Sequence, residues 1–166
     1  MVRYIRKAVC YIMLLSLLFG MSSCGCSVHR DKDSEKAYEI ATEIVTAIGE
    51  NDAAALESFF SESSKQKMNK EDFNALAYNY SFSMTKIEDW FINTSQSDTD
   101  ERYRITAGFY IVDSSNNEYE IEFQYYVTDK DDSQIGLSAI SFSPKEYFEE
   151  NENECSLSED SVIKVP

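Results

Sequence analysis

The segment YEIEFQYYV, residues 119–127, decides the fold of this chain. Successive side chains of a β-strand point to opposite faces of the sheet, so a strict alternation of residue types predicts a half-buried strand. Here one face is apolar or aromatic (Tyr119, Ile121, Phe123, Tyr125 and Val127). The other face carries Glu120, Glu122 and Gln124, and we expect it to be solvated.

The segments on either side predict further strands of the same sheet. Residues 103–111 alternate in the same way, and the polar run 114–117 predicts a hairpin turn between the two strands. Residues 135–142 predict a last strand whose two halves are out of phase, so we expect a bulge at Ser138 or Ala139. Residues 83–93 form a weaker strand with poor alternation, and 94–100 are interpreted as a loop.

The first half of the chain predicts three helices. Asp33 and Ser34 precede an apolar stripe at helical spacing that ends at Gly49. Asp52 is expected to cap a second helix over residues 53–61, and a third helix is expected over 70–80. The polar run 61–69 between them is interpreted as a loop.

These elements predict an α+β domain over residues 34–143, with three N-terminal helices packed on one side of a curved antiparallel meander sheet. Residues 144–166 contain seven acidic residues and few apolar ones. We therefore expect an acidic, disordered tail there.

The N-terminus has the organisation of an export signal. Three cationic residues precede the 14 largely apolar residues 8–21, and Ser22 and Ser23 lead to Cys24. Fourteen helical residues cover only about 21 Å, less than a bilayer core of about 30 Å. The stretch resembles a bacterial lipoprotein signal, which implies cleavage after residue 23, acylation of Cys24 and a polar tether over 24–33. The expected location is the extracytoplasmic face of the cell membrane, with the N-terminal lipid as anchor; an ordinary secretory signal and a signal anchor are the alternatives.

The charge of the chain excludes one class of partner. Residues 1–23 contain three of the 15 cationic residues and no acidic one, so the remainder has 12 cationic and 30 acidic residues, a formal charge of −18. Such a surface repels nucleic acid, so no nucleic-acid partner is expected. It either keeps the protein soluble at the cell surface or attracts a cationic peptide or partner.

Two segments together resemble known proteins. Residues 41–60 resemble the opening helices of nuclear-transport-factor-2-like domains; their sequence is ATEIVTAIGENDAAALESFF. Residues 119–140 resemble the closing hairpin of a lipoprotein family of that fold, the domain of unknown function 5104 family. The resemblance implies a cone-shaped, cystatin-like α+β fold with a pocket between helices and sheet. It implies no known activity and no catalytic residues.

The pocket that this fold implies would be lined by the inward strand residues Tyr103, Phe109, Tyr119, Phe123 and Tyr125. None of them is ionised at pH 7, and the domain itself contains no histidine, since His29 lies in the tether. We therefore expect a non-enzymatic binding module for a small apolar ligand or a protein partner. The alternatives are an enzyme that acts on a neutral or lipidic molecule through the pocket tyrosines and a subunit that sequesters cationic peptides.

No cofactor and no metal site is expected. Asp129, Asp131 and Asp132 alternate partly as in calcium loops, but the mid-loop glycine and the bidentate glutamate of such loops are missing, so a hairpin turn is favoured. Cys26 and Cys155 lie near the two ends of the mature chain and could pair in an oxidising compartment, but neither has zinc-ligand spacing.

Overall fold

The computed structural model describes residues 32–151, 157 and 162–166. These residues form an α+β domain with helices first and a five-stranded sheet after them. The helices are α1 (Lys32–Gly49), α2 (Ala53–Phe59), α3 (Glu62–Lys65), α4 (Lys70–Tyr78) and α5 (Lys145–Glu150). The strands are β1 (Met84–Ser97), β2 (Arg102–Asp113), β3 (Glu118–Thr128), β4 (Gly136–Pro144) and β5 (Ile163–Lys164).

Side-chain caps set the starts of three N-terminal helices. Asp52 accepts a hydrogen bond from the backbone N–H of Ala55 at 2.9 Å, as the sequence predicts. Ser61 and Asn69 cap α3 and α4 in the same way. The prediction of three helices was wrong within the described residues, because four precede the sheet: Ser61 starts α3 in the run interpreted as a loop.

The sheet has the order β1-β2-β3-β4-β5, with the first four strands antiparallel as predicted. The predicted bulge is confirmed, since Gln124 pairs with Ala139 and Tyr125 pairs with Leu137, which leaves Ser138 as the extra residue. β5 runs parallel to β4, so the complete sheet is mixed rather than purely antiparallel.

The first strand is longer than the sequence predicts. The interpretation of residues 94–100 as a loop was wrong for 94–97, because β1 continues to Ser97 and pairs there with Arg102. The polar side chains misled the prediction: an edge strand with solvent on both faces needs no apolar alternation.

The core lies between α1–α4 and one face of the sheet. Ile105, Phe109, Ile121 and Phe123 are fully buried there, as their alternation predicts. The apolar stripe of α1 covers them, and the ring of Tyr38 packs edge-on against Phe109 at 4.9 Å between centroids.

The opposite face of the sheet, which we call the outer face, corrects the sequence prediction. Glu120 and Glu122 are buried, at 4% and 7% exposure, whereas the sequence predicts a solvated acidic face. The reason is that α5 turns back after Pro144 and places Phe148 against the outer face beside Trp90. The side chain of Glu122 also accepts a hydrogen bond from the backbone N–H of Leu157 at 3.4 Å.

The predicted disordered tail was wrong for the described residues beyond 143. Phe148 in α5 and Ile163 in β5 are both buried, and Ile163 pairs with Ile140 in the sheet. Phe148 packs on the outer face and Ile163 joins the core, and burial of one apolar side chain in each segment favours order in an otherwise acidic run. The predicted signal peptide, Cys24, Cys26 and Cys155 lie outside the described residues. Among the described helices, none has both the length and the apolar composition needed to cross a bilayer.

Candidate functional site

The predicted pocket residues Phe109 and Phe123 are part of the packed core. Both side chains are fully buried, and their rings stack with centroids 6.0 Å apart. The space between helices and sheet at this level is therefore filled by the protein's own side chains. A ligand could enter only by displacing them.

The three predicted pocket tyrosines lie at two different ends of the sheet. Tyr103 is near Tyr125, because Tyr125 pairs with Ile105, whereas Tyr119 pairs with Ile111 at the far end. Tyr125 lies six residue steps along the strand from Tyr119, which corresponds to about 20 Å. Tyr119 lines a polar groove of about 690 Å³ together with Asn117 and Lys145. The structure thus does not bring the five predicted residues together into one pocket.

A buried carboxylate, Asp113, contacts one of these tyrosines. It accepts hydrogen bonds from the backbone N–H groups of Ser115 and Asn117 at 2.8 and 2.9 Å, from the side chain of Asn117 at 2.8 Å and from the hydroxyl of Tyr119 at 3.3 Å. Burial raises the pKa of Asp113, but these hydrogen bonds lower it by more, so its pKa lies below the ordinary value. Asp113 therefore stays ionised and holds the β2–β3 turn.

A different group of residues forms an open site on the outer face. We call it the aromatic groove; it has a volume of about 290 Å³ and is lined by Trp90, Tyr110, Glu120, Phe148 and Glu149. The side chains of Trp90 and Tyr110 are 42% and 36% exposed, unusually high values for such large rings, while Glu120 is buried beside them. The ring of Trp90 lies 6.2 Å from that of Tyr110 and 6.4 Å from that of Phe148, centroid to centroid.

A bulge in β1 places Trp90 in this position. Asp89 pairs with Phe109 and Phe91 pairs with Gly108, so Trp90 is the extra residue between two paired ones. Gly108 leaves room for the indole, because a Cβ at this position would lie 2.3 Å from the Nε1 of Trp90. The same bulge explains the poor alternation of β1 in the sequence.

The electrostatics of the aromatic groove favour positive charge. The chain's own Lys145 already places its ammonium 5.4 Å from the ring centroid of Tyr110, and its Nζ is 2.6 Å from Glu118. Burial and the neighbouring carboxylates Glu120 and Glu149 raise the pKa of the Tyr110 hydroxyl, although Lys145 opposes the rise. Because the centroids of the Trp90 and Tyr110 rings are 6.2 Å apart, an additional cation bound against both rings would lie within the roughly 6 Å range of a cation–π interaction with each.

Sequence reasoning missed the aromatic groove, although two signals for it were present. Trp90 sits where the strand alternation fails, and Gly108 is an outward-facing glycine in the middle of a strand, which marks a close approach of another group. The third element, Phe148, gives no such signal, since its place depends on the path of α5.

The acidic turn after β3 is held together by hydrogen bonds of its own. Asp129 accepts a hydrogen bond from the backbone N–H of Asp131 at 2.9 Å and from Nε of Arg102 at 2.6 Å. These contacts lower the pKa of Asp129. No group of three or more histidine, cysteine or acidic side chains that could hold a metal ion occurs in residues 32–151, 157 and 162–166.

Comparison with known proteins gives one result. A search of curated proteins finds no match. A family model described as a domain of unknown function, DUF5104, matches residues 43–150, which include α2, α3, α4 and α5, all of β1–β4 and the last seven residues of α1. The match therefore contains all the residues of the aromatic groove. The chain belongs to this family of domains of unknown function, DUF5104.

Proposed function

We propose that this protein is a non-enzymatic binding module, anchored by a lipid on Cys24 at the extracytoplasmic face of the membrane, and that it recognises positively charged groups through the aromatic groove. The observation that carries the proposal is the pair of exposed rings, Trp90 and Tyr110, beside the carboxylate of Glu120. Such an arrangement offers a cation two aromatic faces and a negative charge. In fold, we propose the cone-shaped nuclear-transport-factor-2-like arrangement.

The charge of the whole chain supports the same ligand class. The formal charge of −18 expected after signal cleavage attracts cations over distances of about a Debye length, some 8–10 Å at physiological salt. The negative surface would raise the local concentration of a cationic partner, and the aromatic groove would select its charged group. Binding should therefore weaken as salt is added.

Two observations support binding over catalysis. The pocket tyrosines on which a catalytic alternative depends are spread over about 20 Å of strand. Asp113, the buried carboxylate that contacts Tyr119, has a lowered pKa, whereas a general acid at neutral pH needs a raised one.

The chain contains a single tryptophan, Trp90, so its fluorescence reports on the aromatic groove alone. The test is a fluorescence titration of the full lipoprotein in detergent micelles with arginine amide and, as a neutral counterpart, citrulline amide, both with the α-amino group acetylated. We expect a saturable, salt-sensitive change with the first and none with the second. Equal responses to both would contradict a cation site.

A matched pair of variants tests whether cation binding requires the carboxylate of Glu120 in particular. Glu120→Gln removes the carboxylate beside the rings with little change of shape, and Glu71→Gln removes one charge from an exposed position of α4. We expect about a tenfold loss of affinity for arginine amide in Glu120→Gln and almost none in Glu71→Gln. Equal losses in both variants would mean that overall charge, rather than the groove, binds the cation.

A further inference from the structure

The second half of β1 is an edge without a strand on its outer side in the described part of the chain. Residues Phe91–Ser97 pair with β2 in unbroken register from Phe91 with Gly108 to Ser97 with Arg102. Four consecutive residues, 93–96, are exposed, so this part of the strand has solvent on both faces. A strand at the edge of a sheet presents backbone N–H and C=O groups that can pair with another chain.

The first half of β1 is protected against such pairing. It carries Lys86, Glu88 and Asp89, and it contains the two irregularities of register in the strand. The hydroxyl of Tyr38 in α1 also accepts a hydrogen bond from the backbone N–H of Asp89 at 3.1 Å. Charges, bulges and covering groups are the devices by which proteins block their edges.

Within the residues that the structure describes, the edge segment Phe91–Ser97 has none of these devices. Its sequence, FINTSQS, contains no charged residue and no proline, and its register has no bulge. One strand therefore combines a protected half and a half competent for pairing, and the boundary between them is Trp90 in the aromatic groove.

We propose that the edge segment binds an extended peptide by strand addition and that the peptide places one basic side chain in the aromatic groove. This inference rests on the proposed function and names its ligand class as a peptide segment rather than a small free cation. Backbone pairing would supply affinity, and the aromatic groove would select the charged side chain. Seven strand residues cover about 24 Å, enough to pair with a segment of similar length.

The position of the aromatic groove, rather than the charges along β2, decides where the basic residue of the peptide belongs. Arg104 pairs with Ser95 and Arg102 pairs with Ser97, so the far end of the edge segment lies beside cationic residues, although Arg102 is bonded to Asp129. The turn after Ser97 also carries Asp98, Asp100 and Glu101, so charge alone does not distinguish the two ends. The basic side chain belongs at the Trp90 end because the rings of the aromatic groove lie there. Antiparallel pairing is slightly more stable per residue than parallel pairing, and it places the C-terminal end of the peptide at Trp90.

The probe is an eight-residue peptide of alternating threonine and valine that ends in arginine, with both termini blocked. Two further versions of the peptide carry N-methyl groups on every second residue. In one version the methyl groups replace the N–H groups that would face the edge segment, and in the other they replace the N–H groups that would point away from it. Affinity is measured by Trp90 fluorescence with the full lipoprotein in micelles. We expect one methylated version to lose about tenfold or more in affinity and the other to bind nearly as well as the parent.

Hydrogen exchange supplies a second readout. Addition of the parent peptide should slow amide exchange within residues 91–97 and leave residues 84–88 unchanged. On the protein side, Asn93→Lys adds a charge to the edge segment, whereas Thr46→Lys adds the same charge to an exposed site of α1. We expect Asn93→Lys to weaken peptide binding several-fold and Thr46→Lys to have little effect.

The outcomes separate the two proposals. Equal binding of both methylated versions, with no change of exchange at 91–97, would overturn strand addition, and binding of arginine amide would then still support the cation site. If arginine amide and every peptide leave Trp90 fluorescence unchanged and no peptide protects residues 91–97, the cation site and strand addition both fail. Protection at 91–97 by a peptide in which citrulline replaces arginine would establish the edge and contradict the role of the basic side chain.

Discussion

The indole of Trp90 lies directly over Gly108, the residue of β2 that pairs with its neighbour Phe91. A Cβ at position 108 would be 2.3 Å from Nε1 and 2.5 Å from Cε2 of the indole, a separation that no side chain tolerates. The bulge and the glycine therefore act together to position the indole. The bulge turns the indole to the outer face, and the glycine has no side chain that would occupy the space of the indole.

The substitution Gly108→Ala tests this arrangement. We expect the added methyl group to displace the indole, which should shift the fluorescence emission maximum of Trp90 and weaken the binding of arginine amide by about tenfold. Thr106→Ala, on the same face of the same strand, is the control and should change neither. An unchanged emission maximum in Gly108→Ala would show that the indole does not depend on the glycine.

Lys145 is expected to compete with cationic ligands for the aromatic groove. Its ammonium lies 5.4 Å from the Tyr110 ring centroid, and Glu118 raises its pKa through a hydrogen bond, so it stays charged. Lys145→Gln should strengthen the binding of arginine amide by about two- to fivefold, the size of an exposed cation–π contact. Lys86→Gln removes an exposed lysine that pairs with Glu88 and serves as the control. Weaker binding in Lys145→Gln than in the control would mean that Lys145 helps to hold the ligand.

Asp113 should make folding stability depend on pH. Its pKa in the folded protein lies below the value of 3.8 usual for an aspartate, because hydrogen bonds favour the ionised form. The contribution is therefore complete above about pH 4 and is lost as the pH falls through the folded pKa. Denaturant unfolding of wild type and Asp113→Asn at pH 7, 4 and 3 should show a difference in stability that shrinks at the acidic end. A difference that stays constant over this range would contradict the assignment.

Phe123 is the central side chain of the core. It is fully buried and stacks on Phe109, so Phe123→Ala should lower the free energy of unfolding by about 3–5 kcal/mol through the lost transfer energy and the cavity. Gln96→Ala, at an exposed position of β1, should stay within about 0.5 kcal/mol of wild type. Chemical denaturation measures both, and comparable losses would show that the burial of β3 has been misassigned.

Lipidation is tested at Cys24. Cys24→Ala should move the protein from the membrane to the soluble fraction or leave an uncleaved precursor. Two acyl chains hold a protein stably at a bilayer, and the variant lacks the sulfur that would carry them. Fractionation followed by mass spectrometry of the N-terminus measures this. A mature N-terminus at another residue, without lipid, would contradict the proposal.

The sequence by itself determined the strands β2, β3 and β4. Alternation in residues 103–111 and 119–127 predicted both strands and their buried face correctly, and the phase change in 135–142 predicted the bulge at Ser138. These features depend only on neighbouring residues. A strand with one face against a core needs apolar residues at every second position, so the sequence shows the pattern directly. The cap at Asp52 is local in the same sense.

Only the tertiary structure decided which faces are covered and where an open site lies. The sequence cannot show that α5 returns over the outer face, which buries Glu120 and brings Phe148 to Trp90 across 58 residues of chain. It also cannot show that Phe109 and Phe123 fill the interior rather than line a pocket, because an inward aromatic residue has the same pattern in either case. Contacts between distant segments depend on how elements pack, and packing leaves no period in the sequence.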